Sequence, residues 1–408
     1  MTTTFGVFRR RMHAALPEND SVPLARPGEF APLRLGPLTA WPPIVLAPMA
    51  GVTNYPFRTI CRQFGAGVYV SEMINARGFL EGNHRTRLLA SSRADESPRS
   101  VQIYGHDPVE VGAMARALAD EGVAHLDMNF GCPVPKVTRH GGGAAIPVKP
   151  KLLARIVRAA IKGAGRVPVT VKVRKGIDDG LLTYLDAGRV AEAEGAAAIG
   201  LHARTAAQLY SGAADWDAVA ALKDAVGIPV LGNGDVWECW DALRMMRQTG
   251  CDGVIVGRGC LRRPWLFREL AQVFDGSAPD PQPSLGAIIA LMRRHAELLV
   301  EFFGELNGMR QMRKWCAWYT AGFQRSAAAR AELMGITTVD EMLAILARLD
   351  PDEPFPLRTV RHNRVKDNRI QRVTLPHGYL EARDDDTPPP EPDDPAERLA
   401  WEKALDAG

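Results

Sequence analysis

Between residues 44 and 274 the chain alternates a short apolar run with a helix-patterned segment, eight times over, and few folds accommodate that pattern. The apolar runs are 44–50, 68–73, 100–105, 125–131, 169–174, 198–204, 229–235 and 253–259. Seven of them lead into clear helical patterning, such as 107–122 and 149–165; after 68–73 it is weaker. Strands apolar nearly throughout and separated by helices belong to a parallel sheet covered on both faces. Eight such units in roughly 230 residues predict an α/β chain folded as a (β/α)8 TIM barrel, with an open doubly wound sheet as the alternative.

Polar residues gather where these runs end. Met49, Glu72, Gln102, Asn129, Lys172, His202, Asn233 and Arg258 each lie at or just past a strand's C-terminal end. A barrel brings those ends to one face, where its active site is built. The plainer explanation, that loops are polar in any fold, accounts for some of them.

Composition narrows the class. Of 408 residues, 46% are hydrophobic and 24% charged, the balance of a chain with a large core. No apolar run reaches the length of a membrane span. Arg9, Arg10 and Arg11 precede no apolar stretch, so no secretory signal is expected. The six cysteines show neither a CxxC pair nor a metal-ligand spacing, and predict reduced thiols, no metal and a cytoplasmic location.

The expected organisation is an irregular extension over 1–37, a barrel over 38–280, a small all-helical domain over 281–350 and a charged tail over 351–408. In the helical domain Arg310, Arg313, Lys314, Arg325 and Arg330 alternate with Trp315, Trp318, Tyr319 and Phe323. Cations among aromatics suit a phosphate backbone with unstacked bases. The competing explanation is an amphipathic helix whose rings lie in the core. Residues 358–372 are basic; 381–397 are acidic, proline-rich and expected to be disordered.

Two Gly-rich strand ends come last in the barrel, Gly232-Asn233-Gly234-Asp235 and Gly257-Arg258-Gly259, where such barrels bind phosphate. A third cluster, Asn129-Phe130-Gly131-Cys132-Pro133, leads into Lys136, Arg139, His140 and glycines 141–143. A free cysteine is more often a small core residue. On a polar, glycine-rich loop of the functional face it becomes a candidate catalyst.

The strings LAPMAGVTNYPFR (46–58), SEM (71–73), VQIYG (101–105), DMNFGCPVPKVTRHGGGAAI (127–146), VKVRKG (171–176), HARTAAQLYSG (202–212), GNGDV (232–236) and GVIVGRG (253–259) together resemble the tRNA-dihydrouridine synthases, most nearly the bacterial B-type branch. The resemblance covers roughly 38–350, includes RKWCAWYTAGF (313–323) of the helical domain, and leaves out both terminal extensions. It implies FMN at the barrel mouth, NADPH (or NADH) as electron donor and tRNA as substrate. Cys132 would protonate C5 of a uridine whose C6 receives the hydride. Pro48, Met49 and Ala50 would lie against the flavin ring, Gln102 would hydrogen-bond it, and Lys172 would stand at its pyrimidine edge.

His202 would contact the flavin or its phosphate chain, with a buried structural histidine as the alternative, and Asn233, Gly234, Asp235, Gly257 and Arg258 would serve the ribityl and phosphate end. Asn129 would orient flavin or base. Glu72, Arg139, Arg204, Arg310, Arg313 and Lys314 are the substrate-side candidates. A monomer without an obligate protein partner or a membrane is expected. Two other readings stay open at this stage, a dihydroorotate-dehydrogenase-like FMN barrel acting on a small molecule and a catalytically silent RNA-binding protein.

Overall fold

The computed structural model describes residues 19, 21–65, 67–361 and 370–389. Eight parallel strands close into a barrel in chain order: β1 (Ile44–Leu46), β2 (Val68–Asn75), β3 (Ser100–Tyr104), β4 (His125–Phe130), β5 (Val169–Arg174), β6 (Ala198–His202), β7 (Val230–Asn233) and β8 (Gly253–Val256). Val254 pairs with Ile44 and shuts the ring. Strand and helix faces are both apolar, so each strand is buried from either side, as their unbroken apolar runs predict. The barrel replaces the doubly wound alternative.

After β2 the weak helical pattern resolves into two short helices, Ala76–Leu80 and His84–Ala90, each started by an asparagine side chain that accepts a backbone N–H. The register of β2 against β3 slips between Val70 and Met73. That slip is a local irregularity of the kind that re-aims side chains beside a site.

The floor of the barrel corrects the sequence-based boundary. Residues expected to be irregular up to 37 include a strand, Leu33–Leu35, which pairs with Leu38–Ala40 as a hairpin. Leu33 and Leu35 are each 1% exposed and pack against Val45, Val68, Val70, Ala198, Leu231 and Ile255. A three-residue strand carries too little periodicity to be read from sequence, and its two leucines are ordered only by the strands they plug.

The helical region is α1 (Leu285–Phe303), α2 (Glu305–Tyr319), α3 (Ser326–Leu333) and α4 (Val339–Leu346). It shares one continuous apolar core with the barrel. Trp315 packs on Phe57, from the helix Tyr55–Arg62 of the barrel, with ring centroids 4.4 Å apart, and on His295 at 4.7 Å. Trp315 and Tyr319 are fully buried and Phe323 nearly so. The aromatics interleaved with the basic residues are therefore mostly core, the amphipathic-helix explanation, because their ring area is best buried against the barrel.

The tail also departs from expectation. Residues 370–389 lie along the barrel, and Tyr379 is buried there. Asp385 and Asp386 pair with Lys149 and Arg155, so part of the acidic stretch has a cationic partner that composition does not reveal. The rest of the tail expected to be disordered, 390–408, and positions 362–369 of the basic stretch lie outside the described residues. Among the described residues no helix is long and apolar enough to cross a membrane.

Candidate active site

A cavity of about 440 Å³ opens at the C-terminal ends of the barrel strands. It brings together fourteen of the residues singled out above. These are Pro48, Met49 and Ala50 after β1; Gln102, Asn129, Cys132 and Lys172 from β3 to β5; and His202, Arg204, Asn233, Gly234, Asp235, Gly257 and Arg258 from β6 to β8. The barrel topology alone gathers them, since neighbouring parallel strands end side by side.

One side of the cavity is a chain of hydrogen bonds that ends on Cys132. The Asp127 carboxylate accepts from the Thr170 hydroxyl at 2.6 Å and from the Gln102 amide at 2.7 Å. The Gln102 carbonyl accepts from Asn129 Nδ2 at 2.9 Å. Asn129 Oδ1 then accepts from the backbone N–H of Gly131 and of Cys132, both at 3.0 Å. Each amide is fixed by its neighbour, so the network leaves a single orientation for the loop that carries the thiol.

Asp127 was not singled out from sequence, although an aspartate inside the apolar run of β4 is the signal that marks it. Burial raises its carboxyl to about 6 against the pull of the Thr170 and Gln102 donors. Behind it, His125 bridges Ser100 Oγ at 2.7 Å and Thr170 Oγ1 at 2.9 Å, and burial lowers it to about 4. Because the Thr170 hydroxyl donates to Asp127, neutral His125 must donate from Nε2 and accept at Nδ1.

Cys132 is 8% exposed, and burial pushes its thiol up, with the Val134 N–H and Arg174 opposing. A thiol raised in this direction stays neutral near pH 7, the form that can donate a proton. The loop is also held from below. Gly143 has φ 54°, and a Cβ there would meet the Cys132 carbonyl oxygen at 2.6 Å. Gly143→Ala is expected to displace the Cys132 loop, read as alkylation of the thiol by iodoacetamide about fivefold faster than in the parent protein.

Lys172 crosses the cavity floor and donates to Asn233 Oδ1 at 2.9 Å, while Asn233 Nδ2 donates to the Ile255 carbonyl at 2.8 Å. Burial, with Arg174 nearby, lowers the ammonium to about 8, and Asp127 opposes. His202 is held neutral, far below its usual range, by burial and then by Arg174, Lys172, Arg204 and Arg258.

Arg174, another residue that sequence reading passed over, ties two rim loops together. Its guanidinium donates to the carbonyls of Gly131 (2.9 Å), Thr205 (3.0 Å) and Leu209 (2.9 Å).

At the other end, Arg204 is 2% exposed and bonds both Asp235 oxygens at 2.8 Å and the Gly212 carbonyl at 2.6 Å. Gly234 takes φ 132°, which glycine adopts freely, and Asp235 takes φ 55°, a costly conformation for a residue with a side chain that Arg204 and the Ala214 N–H (2.7 Å) hold in place. Arg204 Nη1 is buried without a hydrogen-bond partner among the described residues. Arg258 lies over the rings of Tyr210 (4.3 Å) and Trp237 (5.0 Å) and is lowered by burial only to about 10, so it stays cationic. Trp318, from α2, also lines the cavity.

Five candidates fall elsewhere. Glu72 is buried and accepts the Gly51 N–H at 2.7 Å, and Lys314 donates to the carbonyl of the same Gly51. Burial raises the Glu72 carboxyl and lowers the Lys314 ammonium, and each opposes the other's shift. The two grip the loop after β1 from the barrel and from α2. Arg313 donates to the Ile336 carbonyl at 2.9 Å and caps the turn after α3. Arg139 is exposed beside His140, and Arg310 is exposed on α2. In this structure Glu72 accepts a backbone N–H, and Arg313 and Lys314 donate to backbone carbonyls within the fold.

A closed parallel barrel with a ligand cavity at its C-terminal rim defines the class, a (β/α)8-barrel protein built as such enzymes are. The family model described as dihydrouridine synthase (Dus) matches residues 45–352, and the chain belongs to that family. It is 52% identical over 364 residues to the probable tRNA-dihydrouridine synthase of Mycobacterium tuberculosis strain CDC 1551 / Oshkosh, covering 86% of this chain and 93% of that one. The corresponding protein of Mycobacterium leprae strain TN is 49% identical, with 85% and 97% covered. tRNA-dihydrouridine synthase B of Pseudomonas putida strain KT2440 is 38% identical, with 71% and 86% covered.

Proposed function

We propose that this protein reduces the C5=C6 bond of specific uridines in tRNA, using FMN re-reduced by NADPH, with Cys132 as the proton donor to C5. The observation that carries the reading is a buried thiol and a half-buried ammonium, Cys132 and Lys172, lining one cavity at the barrel rim. The family and the names of its members support tRNA as the substrate.

Two features of the chain fit a flavin with a phosphate tail. Arg204 Nη1 is an orphaned buried donor beside Gly234. A Cβ on Gly257 would meet only Ala47 at 3.7 Å, so no protein neighbour requires glycine there and the space belongs to the cavity. Arg204, Arg258 and the Gly234 and Gly257 backbone would hold the phosphate; Lys172, Gln102 and the 48–50 backbone would hold the ring. When bound, the flavin supplies the hydride for C6.

The chain's own residues do the rest. Cys132 keeps its proton because burial disfavours the thiolate, and releases it to C5 as the ring accepts the hydride. Asn129 and Arg174 hold the loop so that the thiol stays at one wall of the cavity. A uridine stacked inside tRNA cannot enter, so it must be extruded at a cost of a few kcal/mol. Contacts to the phosphate backbone offset that cost.

Of the basic segment, Arg313 and Lys314 are spent inside the fold, whereas Arg310 and Arg325 are exposed. Arg310→Glu combined with Arg325→Glu is expected to weaken tRNA binding about tenfold and steepen no other property, with flavin content unchanged, as read by titration at fixed salt. The decisive test of the function is NADPH oxidation with and without unmodified tRNA, followed by mass spectrometry for dihydrouridine. Oxidation coupled to a small pyrimidine, or no dihydrouridine in tRNA, overturns the proposal.

A further inference from the structure

The loop that carries the candidate acid is poor in its own donors. Cys132-Pro133-Val134-Pro135 contains two prolines without N–H groups; the Val134 carbonyl is taken by the N–H groups of 137 and 138 just downstream, while the carbonyls of 131 to 133 are held from outside the loop. Four of its holds come from the barrel. Asn129 takes the N–H groups of 131 and 132, Arg174 takes the Gly131 carbonyl, and the Ala144 N–H donates to the Cys132 carbonyl at 3.0 Å.

The next carbonyl, that of Pro133, is held by a residue 238 positions away. Gln371 Nε2 donates to the Pro133 carbonyl at 2.9 Å and to the Ala206 carbonyl at 3.0 Å, and the Gln371 N–H donates to the Ala207 carbonyl at 2.9 Å. One side chain thus links the loop after β4 to the loop after β6, the two loops that Arg174 joins from the inside.

Gln371 is itself fixed by a built contact. Val373, Leu375 and Tyr379 pack with Ala145, Val148 and Ile177 in a satellite apolar cluster. The Lys149 ammonium sits 4.7 Å from the Tyr379 ring centre and 3.0 Å from Asp385, and the Tyr379 hydroxyl donates to the Gly141 carbonyl at 3.4 Å. Arg155 pairs with Asp386 at 3.3 Å. These holds run along 141–155, the far side of the glycine-rich turn beneath Cys132. All of 370–389 lies beyond the stretch 45–352 that matches the family model.

We infer that 370–389 is a strap that positions the proton donor, with Gln371 as the positioning residue that fixes the Cys132 loop against the loop after β6. The inference rests on the reading of Cys132 as the acid. It assigns the strap to the proton-transfer step, leaving flavin binding and tRNA affinity to other residues.

The test uses the full-length, FMN-loaded protein carrying Gln371→Met, which keeps the length of the side chain and removes both donors. Pre-reduced enzyme mixed with unmodified tRNA is expected to form dihydrouridine about tenfold more slowly than wild type in a single turnover. Flavin reduction by NADPH without tRNA, and the Kd for tRNA, are expected to stay within about twofold. Alkylation of Cys132 by iodoacetamide, mapped by peptide mass, is expected to accelerate about fivefold as the loop loosens. Tyr379→Ala, which removes the strap's apolar anchor, is expected to act in the same direction.

Wild-type turnover and wild-type alkylation in both variants would overturn the strap while leaving the acid intact. Cys132→Ala at wild-type speed would instead overturn the acid, and the strap with it. The two failures are told apart by which variant shows them.

Discussion

Cys132→Ala is expected to lose the proton-transfer step, with single-turnover dihydrouridine formation falling by at least about a hundredfold, the low end of what a general acid contributes. Flavin content and thermal midpoint are expected to hold, because the Val134 N–H that reaches the thiol belongs to the same loop, and that loop is fixed through backbone groups at 131, 132 and 133. Cys132→Ser is the sharper comparison. A hydroxyl has the shape but is a far weaker acid, so recovery of the rate by serine would show that space, and not the proton, matters at this position. Because burial raises the thiol above its usual value, the rate supported by Cys132 is expected to persist through the range where a free cysteine ionises, and to fall only at higher pH.

Lys172→Met is the second large effect, and it can be separated from the first by pH. The ammonium is lowered to about 8 by burial, so as pH rises through 8 the wild type loses the positive charge that favours an anionic ligand beside Asn233. Turnover is therefore expected to decline on an alkaline limb near pH 8. In Lys172→Met that limb should vanish, leaving a rate lower by roughly 10- to 100-fold, the worth of one charged hydrogen bond of about 1.5–3 kcal/mol. The later limb set by Cys132 should remain. A pH profile of pre-steady-state rates for both variants checks this, and a limb near 8 that survives in Lys172→Met assigns it to another group. Asn233→Ala, which removes the acceptor and leaves the charge, is expected to fall between the two.

Much of this site could be read before any coordinates. The cavity residues lie at strand ends, and strand ends are marked by an apolar run giving way to glycine and polar side chains, as at 232–235 and 257–259. What could not be read is how polar atoms pair through space. Asp127 looked like one polar residue in a strand, yet it anchors the chain of amides that ends on Cys132. Arg313 and Lys314 carry the same charge as Arg310, and nothing in their spacing says that Lys314 reaches Gly51, 263 positions away, while Arg310 faces solvent. The strap was hidden for a related reason, since acidic, proline-rich composition argues for disorder unless a cationic surface receives it.

Periodicity is a property of neighbours along the chain, so the eight-fold alternation by itself determined eight parallel β/α units, and with them the strand ends on which the candidate acid, Lys172 and the phosphate-type loops stand, while closure of those units into a ring was decided by the structure. Only the folded structure decided which cations are consumed by backbone carbonyls, that the tryptophan and tyrosine rings of α2 lie in the core apart from Trp318 at the cavity, and that the C-terminal segment reaches back to the loop of Cys132. The physical reason is that the state of a charge or a ring is set by what surrounds it within a few ångströms, and those surroundings come from residues that the chain order keeps far apart.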